Sequence, residues 1–305
     1  MSRSPVIGLA LGSGAARGWA HIGVIQALEQ MGIRPQVVAG TSIGAFVGAA
    51  YAAGKLEALK HWVQGLGWKD ILSFMDVALG EAGLIQGEKL FDFVRTHMPD
   101  GNIEQLDMHY GAVATDLYSG REVWFREGPL LLAVRASIAL PGLFTPIEHQ
   151  GRWLVDGGLV DPVPISLCRA MGAELVIAVN LNGGLVGRHF RKRQETADKR
   201  MIGGWSARLL ESLNGGDHPW LNNLLGERSR PAPGLFDVMA SSINIMQDRI
   251  TRSRMAGDPP EVHLAPRLAH LGIMEFDRAA EAMEEGRKAV ERMRAQLETC
   301  LSARI

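Results

Sequence analysis

Two stretches decide the fold: Val6-Ile7-Gly8-Leu9-Ala10-Leu11-Gly12-Ser13-Gly14-Ala15-Ala16-Arg17-Gly18, and Val37-Val38-Ala39-Gly40-Thr41-Ser42-Ile43-Gly44. Each begins as an apolar run of strand length and breaks into glycine-rich chain. Between them Ile22, Val24, Ile25, Leu28 and Met31 form an apolar stripe at helical spacing. Gly32 stands where a helix C-terminus favours glycine. After Gly44 an Ala/Gly-rich helix is expected to run to Gly54. Strand, glycine-rich loop, helix, strand, sharp turn, helix is a βαβα start. It predicts parallel strands in an α/β layer fold.

Working outward, 55–99 reads as mostly helical, with Leu90, Val94 and Met98 on one face. Tyr110–Asp116 and Glu122–Phe125 read as strands joined by a turn at Tyr118-Ser119-Gly120. A helix follows over Leu130–Ile138, ended by Pro141-Gly142, and then a short strand, Trp153-Leu154-Val155, runs into Asp156-Gly157-Gly158. Leu175–Leu181 has the continuous apolar character of a buried parallel strand. Composition shifts at Gly183. Residues 183–234 carry glycine pairs, Pro231, Pro233 and the basic cluster Arg188, Arg191, Lys192 and Arg193, and read as an insertion or lid with one short helix near Trp205–Leu213. Met239, Ile243, Met246 and Ile250 mark a later helical stripe, Val262-His263-Leu264 a late strand, and Phe276 to Leu297 a final amphipathic helix. The expected organisation is a core over residues 5–182, an insertion over 183–234, and C-terminal helices with a strand packing on the core over 235–305.

With 47% hydrophobic residues and 21% charged ones, the chain can bury a sizeable core. A net charge of −1 gives no reason to expect a nucleic-acid partner. Cys168 and Cys300 are the two cysteines, far apart and without metal-type spacing, which fits a reducing, cytoplasmic setting. No apolar run has the length of a membrane span, so any membrane contact is expected to be peripheral, at the inner face.

The chemistry centres on Gly40-Thr41-Ser42-Ile43-Gly44. A serine in a tight strand-to-helix turn projects its hydroxyl above the sheet, and the flanking glycines keep the turn compact. A serine nucleophile needs donors for the oxyanion it creates. The loop Gly12–Gly18 ends the first strand, and its backbone N–H groups from Gly14 through Arg17 can form an anion-binding nest. A dinucleotide loop is the competing reading. It fits worse, because the third glycine arrives one place late, at Gly18, and no carboxylate follows the second strand.

The base is the open question. Among nine histidines, His263 and His270 come late enough for the usual serine-acid-histidine chain order, and neither sits in a recognisable loop motif. Asp156 is better placed, at the end of a strand with Gly157-Gly158 freeing the backbone. A free aspartate has a pKa of about 3.9, so it would need a sheltered, apolar cleft to act as a base.

Taken together, these motifs resemble the patatin-like phospholipase family, with its bacterial RssA-type members as the nearest likeness. Arg135-Ala136-Ser137, Pro141-Gly142-Leu143-Phe144, Pro162-Val163-Pro164 and the late Arg254–Pro260 stretch add to the likeness. The resemblance implies a three-layer α/β/α sandwich around a mainly parallel sheet. It implies a lipid acyl hydrolase with a Ser42–Asp156 dyad, in which Asp156 activates first Ser42 and then the deacylating water. It places the oxyanion hole in Gly12, Ser13, Gly14, Ala15, Ala16 and Arg17, with Gly40, Gly44, Gly157 and Gly158 supporting the motifs. It implies neither metal nor cofactor, and a lipid or acyl-ester substrate. Many family members carry three successive glycines in the loop; here Ser13 and Ala15 break that run. Two alternatives stand beside this reading. One is a Ser-His-Asp esterase. The other is a regulatory or binding protein that retains a hydrolase core, its basic 188–193 cluster turned to a partner or an anionic surface.

Overall fold

A computed structural model describes residues 5–66, 101–141, 143–183 and 235–302. The expected helix face at Leu90, Val94 and Met98, the basic cluster and the helix near Trp205–Leu213 lie outside the described residues.

Among the described residues, eight strands form one sheet. In chain order they are β1 (Ile7–Leu11), β2 (Val37–Thr41), β3 (His109–Asp116), β4 (Glu122–Phe125), β5 (Ile147–His149), β6 (Arg152–Asp156), β7 (Leu175–Val179) and β8 (Val262–Leu264). Hydrogen-bonded neighbours follow the path β5-β6-β3-β2-β1-β7-β8, with β4 paired to β3 off this path. Strands β3, β2, β1, β7 and β8 run parallel; β4, β5 and β6 pair antiparallel. The expected strands are present, and β5 is one that sequence patterning does not announce.

Alternation along the strands sorts the core into two layers. Leu9, Leu11, Val38, Ile177 and Val179 face one cluster, shared with helices α1 (Ala20–Gln30), α2 (Ile43–Ala52), α3 (Leu56–Gln64) and α4 (Leu130–Ser137). Ala10, Val37, Ala39, Val176 and Ala178 face the other, shared with α5 (Ile165–Ala170). Helices therefore cover both faces of a mostly parallel sheet, the doubly covered arrangement that continuous apolar strands require.

The C-terminal part builds into this unit. Helix α6 (Leu235–Gly257) leads into β8 at the sheet edge, and α7 (Ala279–Arg292) packs on α1. That crossing is close: a methyl group on Gly23 would fall 1.8 Å from the Met283 carbonyl oxygen, and one on Gly286 2.0 Å from that of Ala20. Helix α8 (Arg294–Ser302) follows a break at Met293, so the final helix of the sequence reading is two.

Helix α6 departs from expectation in which face it buries. Met239 and Met246, two members of the apolar stripe, are 40% and 48% exposed, whereas Gln247, Asp248 and Thr251 are buried. The helix lies beside the glycine-rich loop, where Asn244 and Gln247 meet Ser13, Arg17 and Asn182, so its most buried residues are polar.

Candidate active site

Strand β2 ends at Thr41 and α2 starts at Ile43, leaving Ser42 alone in the turn. Its backbone sits at φ 57° and ψ −127°, a left-handed conformation that costs a residue with a side chain on the order of 1–3 kcal/mol. Neighbours hold it there. The Ser42 N–H donates to Ser137 Oγ at 2.8 Å, and Thr41 Oγ1 donates to the Asp161 carbonyl at 2.8 Å. The flanking glycines are required by contact: a Cβ on Gly44 would lie 2.1 Å from the Leu11 carbonyl oxygen, and one on Gly40 2.4 Å from Ala45 Cα.

Asp156 reaches Ser42 through the register of β3. Strand β4 pairs with residues 112–115 of β3, β2 with 109–113 and β6 with 114–116. Because β4 overlaps both of the others, β2 and β6 share the opposite edge of β3, end to end. Thr41 pairs with Val113 and Asp156 with Ala114, on adjacent rungs. The carboxylate then meets the hydroxyl: Ser42 Oγ donates to Asp156 Oδ2 at 2.5 Å, and the Gly158 N–H donates to Oδ1 at 2.7 Å. Gly157 lies flat on β3, where a Cβ would come within 2.1 Å of the Val113 carbonyl oxygen. Asp156 is 1% exposed. Burial pushes its carboxyl up to about 6, against the opposing pull of the two hydrogen bonds.

In the glycine-rich loop, most backbone donors are already engaged. The Gly12 N–H bonds to Val179, that of Ser13 to Pro162, that of Ala16 to Ile273 and that of Arg17 to Gly14. Gly14 and Ala15 keep N–H groups with no acceptor among the described residues, and both line the cavity at Ser42. Ala15 sits at φ 49°. Of the three described non-glycine residues with positive φ, two are therefore Ser42 and this loop residue. Arg17 is buried, with Nε donating to the Gly14 carbonyl and Nη2 to Asn244 Oδ1 at 3.0 Å. Burial lowers its pKa to about 10, which leaves it a cation at neutral pH. His21 Nε2 donates to the Gly12 carbonyl at 2.7 Å, and burial lowers this imidazole to about 4, so it is a neutral brace beneath the loop.

Ser42, Asp156, Ser13, Gly14, Ala15, Arg17, Asn244 and Gln247 line a cavity of about 120 Å³ with the apolar Leu140, Pro141, Leu143, Met239, Ile243, Ile273 and Met274. Among the described residues, no histidine lines it. His263 lies on β8, three strands from β2, which at about 4.8 Å per strand is roughly 14 Å away. His270 pairs with Glu281 at 2.7 Å. The described histidines thus give no support to a Ser-His-Asp arrangement. Four residues at the site were not singled out from the sequence: Ser137, Asn182, Asn244 and Gln247. Ser137 falls in the quoted Arg135-Ala136-Ser137. The polar Asn244 and Gln247, three apart inside an apolar helical pattern, were the available signal for the other wall.

The family model described as patatin-like phospholipase matches residues 9–169. Uncharacterized NTE family proteins of Mycobacterium bovis and Mycobacterium tuberculosis are 37% identical over 330 aligned residues, covering 94% of this chain and 90% of theirs. The mouse patatin-like phospholipase domain-containing protein 6 is 33% identical over 226 residues, covering 72% of this chain; the match spans 16% of the mouse protein. The crystal structure of VipD from Legionella pneumophila is a weaker likeness, with a TM-score of 0.39 and 16% identity over 96% of this chain and 77% of that one. With over half of its length matched by the family model and relatives aligned across nearly all of it, the chain belongs to the patatin-like phospholipase family.

Proposed function

We propose that the protein is a lipid acyl hydrolase in which Ser42 is the nucleophile and Asp156 the base. The observation that carries this is the 2.5 Å hydrogen bond from Ser42 Oγ to Asp156 Oδ2 at the bottom of an apolar-walled cavity. Asp156 takes the serine proton as Oγ attacks the ester carbonyl. The negative charge develops on the carbonyl oxygen, where the N–H groups of Gly14 and Ala15 receive it. Collapse breaks the ester bond, and the departing alcohol takes the proton from Asp156. Water then attacks the acyl-serine, giving a proton to Asp156 that returns to Ser42 as the carboxylic acid leaves. Burial serves this scheme: a carboxyl raised to about 6 is a stronger base than a free one yet remains ionised at neutral pH. Apolar walls favour an acyl chain over a polar substituent.

Ser42→Ala should abolish hydrolysis of a short-chain nitrophenyl ester and block labelling by a fluorophosphonate. Undiminished labelling of the variant would sink the assignment.

A further inference from the structure

Helix α6 sends two amide side chains into the site, Asn244 and Gln247. A spacing of three puts them on one face. Each turns its oxygen toward the glycine-rich loop. Gln247 Oε1 accepts from Ser13 Oγ at 3.1 Å and from Asn182 Nδ2 at 2.9 Å. Asn244 Oδ1 accepts from Arg17 Nη2 at 3.0 Å. These bonds grip the two ends of the Ser13–Arg17 stretch. Between the grips lie Gly14 and Ala15, whose N–H groups have no acceptor among the described residues, and Ala15 holds its left-handed backbone. Strained residues persist where their surroundings over-determine them. Here the neighbours that do so come from a helix more than 220 residues along the chain. Gln247 is 5% exposed. Two donors occupy its oxygen, which fixes the orientation of the amide. The fit extends to Gly158, where a methyl group would lie 2.5 Å from Gln247 Nε2 and 2.9 Å from Asp156 Oδ1.

We propose that Gln247, with Asn244, is a positioning residue that clamps the loop so that the Gly14 and Ala15 N–H groups converge on the oxyanion. This rests on the acyl-hydrolase reading above. Neither amide is required to touch the reacting carbonyl; both act through Ser13 and Arg17. Donors that act only on developing charge affect turnover and not substrate affinity. Loss of the clamp therefore lowers kcat and leaves KM in place.

The test measures kcat and KM on a short-chain nitrophenyl ester for the wild type, Gln247→Met, Ser13→Ala and the double variant. It also measures inhibition by an alkyl trifluoromethyl ketone, whose hemiketal oxyanion would occupy the same donors. Gln247→Met keeps the length of the side chain and removes its acceptor. A kcat loss approaching about 10²-fold is expected, the scale of a small misplacement at a reacting centre, with KM within about twofold and ketone affinity reduced in parallel with kcat. The double variant should be no worse than the more impaired single one, because both break the same bond. Should Gln247→Met fail to fold, Ser13→Ala breaks that bond from the loop side and carries the same expectation. A kcat within about threefold of wild type in the folded variants, or a kcat loss with unchanged ketone affinity, overturns the clamp. The two readings fail separately. An active, labelled Ser42→Ala would sink the hydrolase assignment. An inactive Ser42→Ala beside fully active Gln247→Met and Ser13→Ala would sink only the clamp.

Discussion

Replacing Asp156 by asparagine should remove activity and raise stability together, with a definite pH signature. The carboxyl titrates near 6 in the folded protein and near 3.9 in an unfolded chain, a gap of about 2 pH units, or roughly 3 kcal/mol at about 1.4 kcal/mol each. The sign follows from linkage. Below about pH 4 the carboxyl is protonated in both states and costs nothing. Between about 4 and 6 the unfolded chain ionises while the folded one holds its proton, so the fold loses stability as pH rises. Above 6 the whole penalty applies. Asparagine has the same shape, keeps an oxygen for the Gly158 N–H and carries no charge at any pH. At pH 7–8 Asp156→Asn should therefore be more stable than wild type by up to about 3 kcal/mol, an upper bound because the amide meets Ser42 with weaker hydrogen bonding. At pH 4 the two proteins should coincide. Urea unfolding from pH 4 to 8 reads this directly. Turnover of a nitrophenyl ester should fall by roughly 10²–10⁴, the usual contribution of a general base, and wild-type turnover should itself decline below about pH 6. A stability difference that stays constant with pH, or a wild type more stable at pH 7, would refute the claim that burial of this carboxylate is what tunes it.

Ala15→Gly tests the strain in the loop. An alanine at φ 49° carries about 1–2 kcal/mol of left-handed cost, and glycine gives back about 0.5–1 kcal/mol through its freer unfolded chain, so thermal unfolding should show stability unchanged or raised by up to about 1.5 kcal/mol, with kcat within about threefold. A clear loss of stability would mean that the Ala15 methyl packs usefully. Arg254→Met tests the tie between α6 and the core: Arg254 Nε lies 3.0 Å from the buried Asp161 carboxylate and also bonds Glu122. Burial pushes the Asp161 carboxyl up to about 8 against the pull of Arg254, so stranding it should cost up to about 3–5 kcal/mol only above that pH, where it is ionised. The cost should shrink as the pH falls through 8 towards neutral, where Asp161 takes up a proton. An unfolding midpoint equal to wild type at about pH 9 would show the pair to be dispensable.

The parts of the fold legible in the sequence are those coded by neighbours along the chain. The Val6–Leu11 strand, the Gly12–Gly18 loop and the Gly40–Gly44 turn each carry their own signal, and Asp156 is marked by the two glycines after it. What could not be read is pairing at a distance. Nothing local in Arg152–Asp156 says that this strand runs antiparallel and abuts β2 along one edge of β3. Nor does the Met239, Ile243, Met246, Ile250 pattern say what faces that stripe. Periodicity identifies a helix and its apolar side, but which side is buried depends on what the helix meets. Helix α6 meets Ser13, Arg17 and Asn182, so it turns Asn244, Gln247, Asp248 and Thr251 inward, at helical spacings of three and four, and leaves Met239 and Met246 partly in the open.

The edge-sharing on β3 also explains why two side chains can suffice in the proposed dyad. In a serine triad, histidine is held by a third residue that fixes its orientation and stabilises its charge. Here orientation comes from the sheet. Asp156 donates its N–H to the Ala139 carbonyl at 2.9 Å, accepts from Thr115 Oγ1 at its own carbonyl at 2.8 Å, and has Oδ1 held by Gly158. Only Oδ2 is left, and it points at Ser42. The separation of Asp156 and Ser42 is set by adjacent rungs, Thr41 on Val113 and Asp156 on Ala114, and a twisted sheet packed on both faces cannot easily change it. The remaining deficiency of a carboxylate, its low basicity, is offset by burial and not by a partner. A third catalytic side chain would have nothing left to orient. A variant that slipped β6 by one residue along β3 would turn Asp156 to the opposite face of the sheet and lose the dyad outright.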